Sequence, residues 1–153
     1  MKLFLFSIGL FFVVAAGSTA CGGTLSLSNQ PQQSESPAGP VTDYTSLIDN
    51  LRAAGVRVKP EGEVEQPFFS VTGMMIKVLG EDIQVFQYSN AAAAEAQAAQ
   101  VSLDGSAVGT TKLHWVGPPH FYKKGKLLVL YIGDTDKVIK ALEAVLGRQF
   151  AGK

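Results

Sequence analysis

Cysteine, histidine and net charge are all scarce in this chain of 153 residues, and each scarcity excludes a class of protein. The single cysteine, Cys21, excludes an internal disulfide and a zinc site built from several cysteines. Thirteen Lys and Arg balance 13 Asp and Glu, so the chain lacks the broad basic surface of a nucleic-acid-binding protein. We therefore expect one domain and no nucleic-acid partner.

Motifs of common catalytic and metal centres are also missing. The chain has no HExxH, CxxC or GxSxG pattern. A zinc site at His114 and His120 would need further ligands, such as Glu61, Glu63 or Glu65. These glutamates alternate along the chain and could share one strand face for Ca²⁺, but EF-hand spacing is absent, so a solvated loop is the simpler interpretation. We predict no metal, no cofactor and no enzymatic activity.

The first 20 residues have the order of an export signal. Lys2 supplies a positive charge, and the uncharged, mainly apolar run from residue 3 to residue 16 follows it. Small residues then lead to Ala20. This order of charge, apolar run and small residues is typical of a secretory signal peptide. The run is shorter than the roughly 20 apolar residues that a membrane-spanning helix needs.

Cys21 follows these small residues directly. The sequence Ser18-Thr19-Ala20-Cys21 resembles the lipobox of bacterial lipoproteins, although Ser18 stands where Leu is usual. The resemblance implies cleavage of residues 1–20, a diacylglyceryl group on Cys21, and a membrane-anchored, extracytoplasmic protein of the cell envelope. It leaves the choice of inner or outer membrane open. Two alternatives remain, a free thiol in a secreted protein and an uncleaved N-terminal anchor.

Residues 21–41 have the composition of a tether. Pro, Gly, Ser and Gln dominate, and Glu35 is the one charged residue. Such a segment buries too little apolar area to offset its ordering entropy. Twenty flexible residues span roughly 25 Å on average. We predict that this segment follows the lipidated cysteine and that a folded domain begins near Thr42.

Residues 42–153 predict a small α+β domain with the order α-β-ββ-α-ββ-α. We expect an antiparallel sheet of about four to five strands with the helices packed on one face. The predicted elements are a helix from residue 43 to Gly55, a strand at 56–59, a hairpin with arms 74–79 and 83–88, an alanine-rich helix at 91–100, a hairpin with arms 111–116 and 126–132, and a helix capped by Asp134 and ended by Gly147. In its general sequence pattern the domain resembles small α+β lipoproteins of bacterial envelopes.

An aromatic and proline-rich segment is the least ordinary part of the domain. It contains Trp115, Pro118, Pro119, His120, Phe121 and Tyr122, followed by the basic residues Lys123 and Lys124. Aromatic side chains are frequent at binding surfaces, but they also close loops over a core. The lysines form either a solvated turn or a contact with anionic headgroups. The segment is therefore a candidate interaction surface, and a core plug is the alternative.

These observations predict a lipid-anchored envelope protein with a non-catalytic interaction module. Its partner would be another envelope protein or a surface polymer. The alternative is a carrier that holds a small apolar ligand between the sheet and the thin alanine-rich helix. An enzyme is the third interpretation, and it requires a polar cleft in which histidine and carboxylates converge.

Overall fold

A computed structural model describes residues 39–153 of the chain, and the predicted signal peptide, Cys21 and most of the tether lie outside them. The described part contains these elements: α1 (Tyr44–Ala53), β1 (Val58–Val64), β2 (Gly73–Val78), β3 (Glu81–Gln87), α2 (Ala91–Ala98), β4 (Ala107–Val108), β5 (Thr111–Lys112), β6 (Pro119–Lys124), β7 (Leu127–Ile132), α3 (Asp136–Leu146) and β8 (Ala151–Gly152). The α+β class is confirmed. No helix among these residues is long and apolar enough to cross a membrane.

Local sequence explains where the first two helices begin. The Asp43 carboxylate accepts the Ser46 N–H at 3.0 Å, and the Ser46 hydroxyl accepts the Asp43 N–H, which is a capping box. Asn90 caps α2 by accepting the Ala93 N–H at 2.9 Å. Val41 is buried, so the fold includes one residue before the predicted start at Thr42.

The N-cap of the last helix lies one residue after the predicted N-cap. Thr135, and not Asp134, is the N-cap of α3, and its side chain makes no capping hydrogen bond. The backbone N–H of Thr135 donates instead to the Tyr131 hydroxyl at 3.1 Å. Gly147 ends the helix with a φ of 88°, as predicted.

The main sheet has six strands in the order β1-β2-β3-β7-β6-β8, and every neighbouring pair is antiparallel. The prediction of four to five strands was therefore low. β1 extends through Pro60 to Val64 although a break at the proline was expected. β1 is an edge strand and has no neighbouring strand on its outer side. The missing N–H of Pro60 therefore loses no hydrogen bond on that side.

The first predicted hairpin is confirmed, and the second has a different first arm. Residues 119–124 pair with β7, whereas Thr111 and Lys112 pair with β4 in a separate two-stranded sheet. Pro119 therefore begins β6, directly after Pro118, and does not interrupt the strand. Phe121 and Tyr122 suit a strand that is buried on both faces, because aromatic residues pack well there.

Helices cover both faces of the main sheet, which corrects the expectation of one covered face. α1 and α3 pack on one face over side chains that include Ile83, Val129 and Tyr131. α2 packs on the other face with Phe86, Phe121, Leu128 and Leu130. The reason is the continuous apolar run of β7. Successive side chains of a strand point to opposite faces, so this run needs a core on both sides.

Both edges of the main sheet are blocked. β1 carries exposed charged residues, Pro60, and a register shift between Pro60 and Glu63 that marks a β-bulge. At the other edge, β8 has two residues, and its Gly152 N–H donates to the Leu103 carbonyl at 2.9 Å. These features disfavour pairing of another strand with either edge.

The two ends of the central strands carry different surfaces. At the turn between β6 and β7, the Lys126 N–H donates to the Thr42 carbonyl at 3.3 Å, so the segment that leads from Gly39 into α1 passes this turn. We call this the entry end. At the opposite end, the Gly133 N–H donates to the Pro118 carbonyl at 3.0 Å, and we call this the distal end. The six residues of β6 separate the two ends by about 17 Å.

Candidate interaction surface

The structure divides the predicted aromatic and proline-rich segment between the core and the surface. Phe121 and Tyr122 are fully buried on opposite faces of the sheet. Pro119 and His120 are buried as well. Phe121 and Tyr122 have no solvent exposure and cannot contact a partner, so they act as the core plug that was the alternative. Pro119 and His120 keep only a little exposed area, each in the lining of a groove. Trp115, Pro118, Lys123 and Lys124 keep exposed area.

Trp115 is half-buried and covers, at the distal end, the core between α2 and the sheet. Its indole N–H donates to the Gly105 carbonyl at 2.7 Å. Its ring meets Phe68 and Phe121 edge-on, with centroids 5.8 and 6.0 Å away. Aromatic pairs in this geometry contribute about 0.5–1.5 kcal/mol beyond their buried area. The ring is therefore fixed in position, and its remaining exposed area is pre-organised.

Two exposed apolar side chains flank Trp115. Leu103 is 85% exposed and Val116 is fully exposed. Trp115 and Pro118 line one groove of about 450 Å³, Leu103 lines a second groove of about 350 Å³, and Lys153 lines both. We call the group of Leu103, Trp115, Val116 and Pro118 the distal surface. The predicted aromatic and proline-rich segment spans three of its members, and sequence reasoning missed Leu103, which lies in a turn more than ten residues earlier in the chain.

A network around Asp104 holds Leu103 in place. The Asp104 carboxylate accepts the Ser106 N–H at 3.0 Å and the hydroxyls of Ser102 and Ser106 at 2.7 and 2.9 Å. These bonds, led by the Ser106 N–H, lower the pKa of Asp104 from 3.8 to about 2. Gly105 follows with a φ of 69°, and a Cβ there would lie 2.9 Å from the Pro119 ring. The turn is thus fixed by charge, by backbone conformation and by close packing.

The two histidines lie in different surroundings. His120 is 5% exposed, and its ring nitrogens lie 2.5 Å from the Gln149 side-chain oxygen and 2.9 Å from the Gly133 carbonyl. The ring stacks on Tyr131, with centroids 5.7 Å apart. His114 is exposed and lines the distal groove. No group of three or more His, Cys, Asp or Glu residues within 39–153 is placed to hold a metal ion.

The glutamates proposed for Ca²⁺ lie on the exposed edge of the sheet. Glu61 and Glu63 belong to β1, and the bulge between Pro60 and Glu63 disturbs the alternation that would align them. Glu61 pairs with Lys59 at 2.9 Å. Glu65 follows the strand and lines a different groove with Gln66 and Phe69. Their arrangement corresponds to a solvated edge.

The basic residues at the entry end are in unequal environments. Lys123 forms a forked ion pair with Glu95 of α2, at 2.5 and 2.7 Å, and its amine lies 5.3 Å from the centre of the Phe150 ring. Lys124 is exposed, and Lys126 is half-exposed. Lys123 therefore attaches α2 to the sheet, whereas Lys124 and Lys126 leave the tip of the hairpin positively charged.

The space between α2 and the sheet is filled. Buried side chains of Phe69, Phe86, Phe121, Leu128 and Leu130 occupy it, with Ala94 and Ala98 facing them from the helix. Four grooves in the described part of the chain have volumes of about 350 to 500 Å³, and none of these four is lined by α2. This geometry does not favour an apolar-ligand carrier with its ligand under that helix.

Comparison with known proteins adds no functional assignment. The chain matches no family model, no curated protein and no solved structure.

Proposed function

We propose that the protein is a lipid-anchored component of the bacterial cell envelope whose domain is a non-catalytic interaction module. The anchor is the predicted diacylglyceryl group on Cys21, after cleavage of residues 1–20. The partner is another envelope protein or a surface polymer. No cofactor is part of the proposal.

The observation that carries this proposal is the placement of the distal surface relative to the chain entry. The last residues of the predicted tether pack on α1, where the Gly39 carbonyl accepts the Asn50 side-chain N–H, and they lead to Thr42 beside the β6–β7 turn. Leu103 and Val116 lie at the other end of the central strands and expose large apolar area. An anchored domain would then hold the apolar surface away from the membrane, where a partner can reach it. Exposed apolar groups on a rigid, polar-rimmed surface are typical of protein contacts.

The anchor is tested by comparing the wild type with Cys21→Ala in the native host. We expect the wild-type protein to lose residues 1–20, to gain the mass of its acyl chains and to sediment with membranes. The variant should do none of these. Each buried methylene contributes about 0.8 kcal/mol, so two or three acyl chains give stable retention. A wild-type protein that keeps its N-terminus or stays soluble would contradict the anchor.

The interaction surface is tested by photo-crosslinking in the same cells. A photoreactive amino acid at Val116 should give a discrete adduct, and Leu103→Ser should weaken it because a second apolar contact with the same partner is lost. The control position is Leu79, which is 45% exposed on the β2–β3 turn and is not part of the distal surface. Equal adducts at Val116 and Leu79, or an adduct unaffected by Leu103→Ser, would argue against the assigned surface.

A further inference from the structure

The turn between β6 and β7 concentrates positive charge at the entry end. Lys123, Lys124 and Lys126 surround Gly125, and the Glu95 carboxylate neutralises only Lys123. Lys124 and Lys126 form no ion pair with any carboxylate among residues 39–153. Two cationic side chains therefore remain available at the tip.

The acidic groups nearby are occupied elsewhere. Lys126 helps to lower the pKa of Asp43, but hydrogen bonds from Ser46 lower it more, and they hold this carboxylate in the cap of α1. Glu95 is turned toward Lys123. Both carboxylates reduce the field of the tip without covering Lys124, so the turn keeps an outward-facing positive group.

The position of this turn is fixed relative to the incoming chain. Gly125 adopts a φ of 55°, and a Cβ there would lie 2.9 Å from the Thr42 backbone. Together with the hydrogen bond from Lys126 to Thr42, this close packing ties the tip to the segment that leads into α1. The described chain starts at Gly39, whose carbonyl accepts the Asn50 side-chain N–H at 2.9 Å, so the tip lies within a few residues of the end of the predicted tether.

We infer that Lys124 and Lys126 contact anionic phospholipid headgroups of the membrane that holds the anchor. This inference rests on the proposed lipidation of Cys21. Charge complementarity favours the contact, because each cation near an anionic bilayer improves binding by a factor of about five. The tether makes the contact intramolecular, so a weak interaction is enough to orient the domain. The bound orientation directs Trp115, Leu103 and Val116 away from the lipid.

The test uses mature lipoprotein, purified from host membranes and reconstituted into vesicles of phosphatidylcholine with or without phosphatidylglycerol. Lipidation blocks the sulfur of Cys21, so a fluorophore can be attached to a single introduced thiol. Thr45→Cys places it in the first turn of α1 at the entry end, and Val116→Cys places it at the distal end. Lipids with a nitroxide headgroup report proximity by quenching. We expect stronger quenching at residue 45, and only with phosphatidylglycerol.

Charge reversal separates a local contact from an effect of net charge. Lys124→Glu with Lys126→Glu should shift the equilibrium away from the bound orientation at least about 25-fold. Quenching should then be equal at residues 45 and 116. The matched control is Lys137→Glu with Lys140→Glu, which changes the net charge equally in α3 near the distal end. This control should retain stronger quenching at residue 45 than at residue 116. Raising the salt concentration to 1 M shortens the Debye length to about 3 Å and should abolish the contact.

Three results would overturn the inference. These are equal quenching at both positions with phosphatidylglycerol present, stronger quenching at residue 116, and an equal effect of the two charge reversals. Failure of the anchor itself would be distinct, because the wild-type chain would then carry no acyl mass and would not sediment with membranes.

Discussion

Two tyrosines on the same face of the sheet differ in what their hydroxyl groups contact. Tyr122 and Tyr131 are both fully buried against α1 and α3. The Tyr131 hydroxyl accepts the Thr135 N–H at 3.1 Å and so fixes the start of α3. The Tyr122 hydroxyl has no partner among the described residues, and burial raises the pKa of Tyr122 to about 12. The two positions therefore form a matched pair.

Removing each hydroxyl should have opposite effects. Tyr122→Phe is expected to raise the free energy of unfolding by about 1 kcal/mol, because it deletes a buried polar group that lacks a partner. Tyr131→Phe is expected to lower it by about 1 kcal/mol, because it deletes a hydrogen bond and leaves the Thr135 N–H unpaired. Urea unfolding followed by the fluorescence of Trp115, the only tryptophan, measures both. A similar decrease in the free energy of unfolding of both variants would contradict this expectation.

Asp104 should make the domain less stable in acid. The fold lowers its pKa from 3.8 to about 2, so the unfolded chain binds a proton more readily than the folded one. The stability that the carboxylate adds is complete above about pH 4 and is lost as the pH falls toward 2. In Asp104→Asn, urea unfolding should depend less on pH in this window and should follow the wild-type pH dependence near neutrality. An unchanged acid dependence would refute the assignment.

At the scale of elements, α2 depends on small side chains. Ala94 and Ala98 are buried against the sheet, whereas Ala92 of the same helix is exposed. Gln97, also buried, accepts the Ser70 hydroxyl at 3.1 Å and links the helix to the preceding loop. Alanine lets the helix axis come close to the strands, so the spacing of this layer depends on the absence of larger side chains.

Leucine substitutions test this spacing. Ala98→Leu should lower the free energy of unfolding by about 1–3 kcal/mol, because the core has no room for the added methyl groups. Ala92→Leu is the matched control and should change stability by less than about 0.5 kcal/mol, since leucine is also a good helix former. Thermal unfolding of both variants makes the comparison. If Ala98→Leu were as stable as Ala92→Leu, there would be unfilled space under α2, and the ligand-carrier alternative would again be favoured.

The elements also show what local sequence can predict. The glycines after α1 and α3 and the first hairpin follow from nearby residues and were predicted, and the first cap is Asp43, one of the two candidates Thr42 and Asp43. The first arm of the second hairpin depends on whether residues 111–116 or 119–124 meet β7, which is a long-range choice. Burial of Phe121 and Tyr122 decides it. Leu103 joins the candidate site through the hydrogen bond from Trp115 to Gly105, two residues after Leu103, which no spacing in the chain reveals.

For the whole molecule, two cores that share one sheet imply a gradient of local stability. β3 and β7 pair at the centre of the sheet and are buried on both faces, whereas β4 and β5 are two-residue strands outside it. Amide protons at Val85, Val129 and their neighbours should exchange only on global unfolding. Those at Val108 and Lys112 should exchange faster by local opening. Hydrogen exchange followed by NMR measures this order, and equal protection in both regions would contradict it.

The blocked sheet edges have a consequence for a protein confined to a surface. Anchoring by lipid would gather many copies in a thin layer, where collisions between neighbours become far more frequent than in bulk. Open strands would then seed edge-to-edge polymers. The bulge and charges of β1, and the hydrogen bond that joins Gly152 to Leu103, disfavour such pairing at the described edges. Copies held by the proposed anchor should therefore remain separate molecules even when they are crowded.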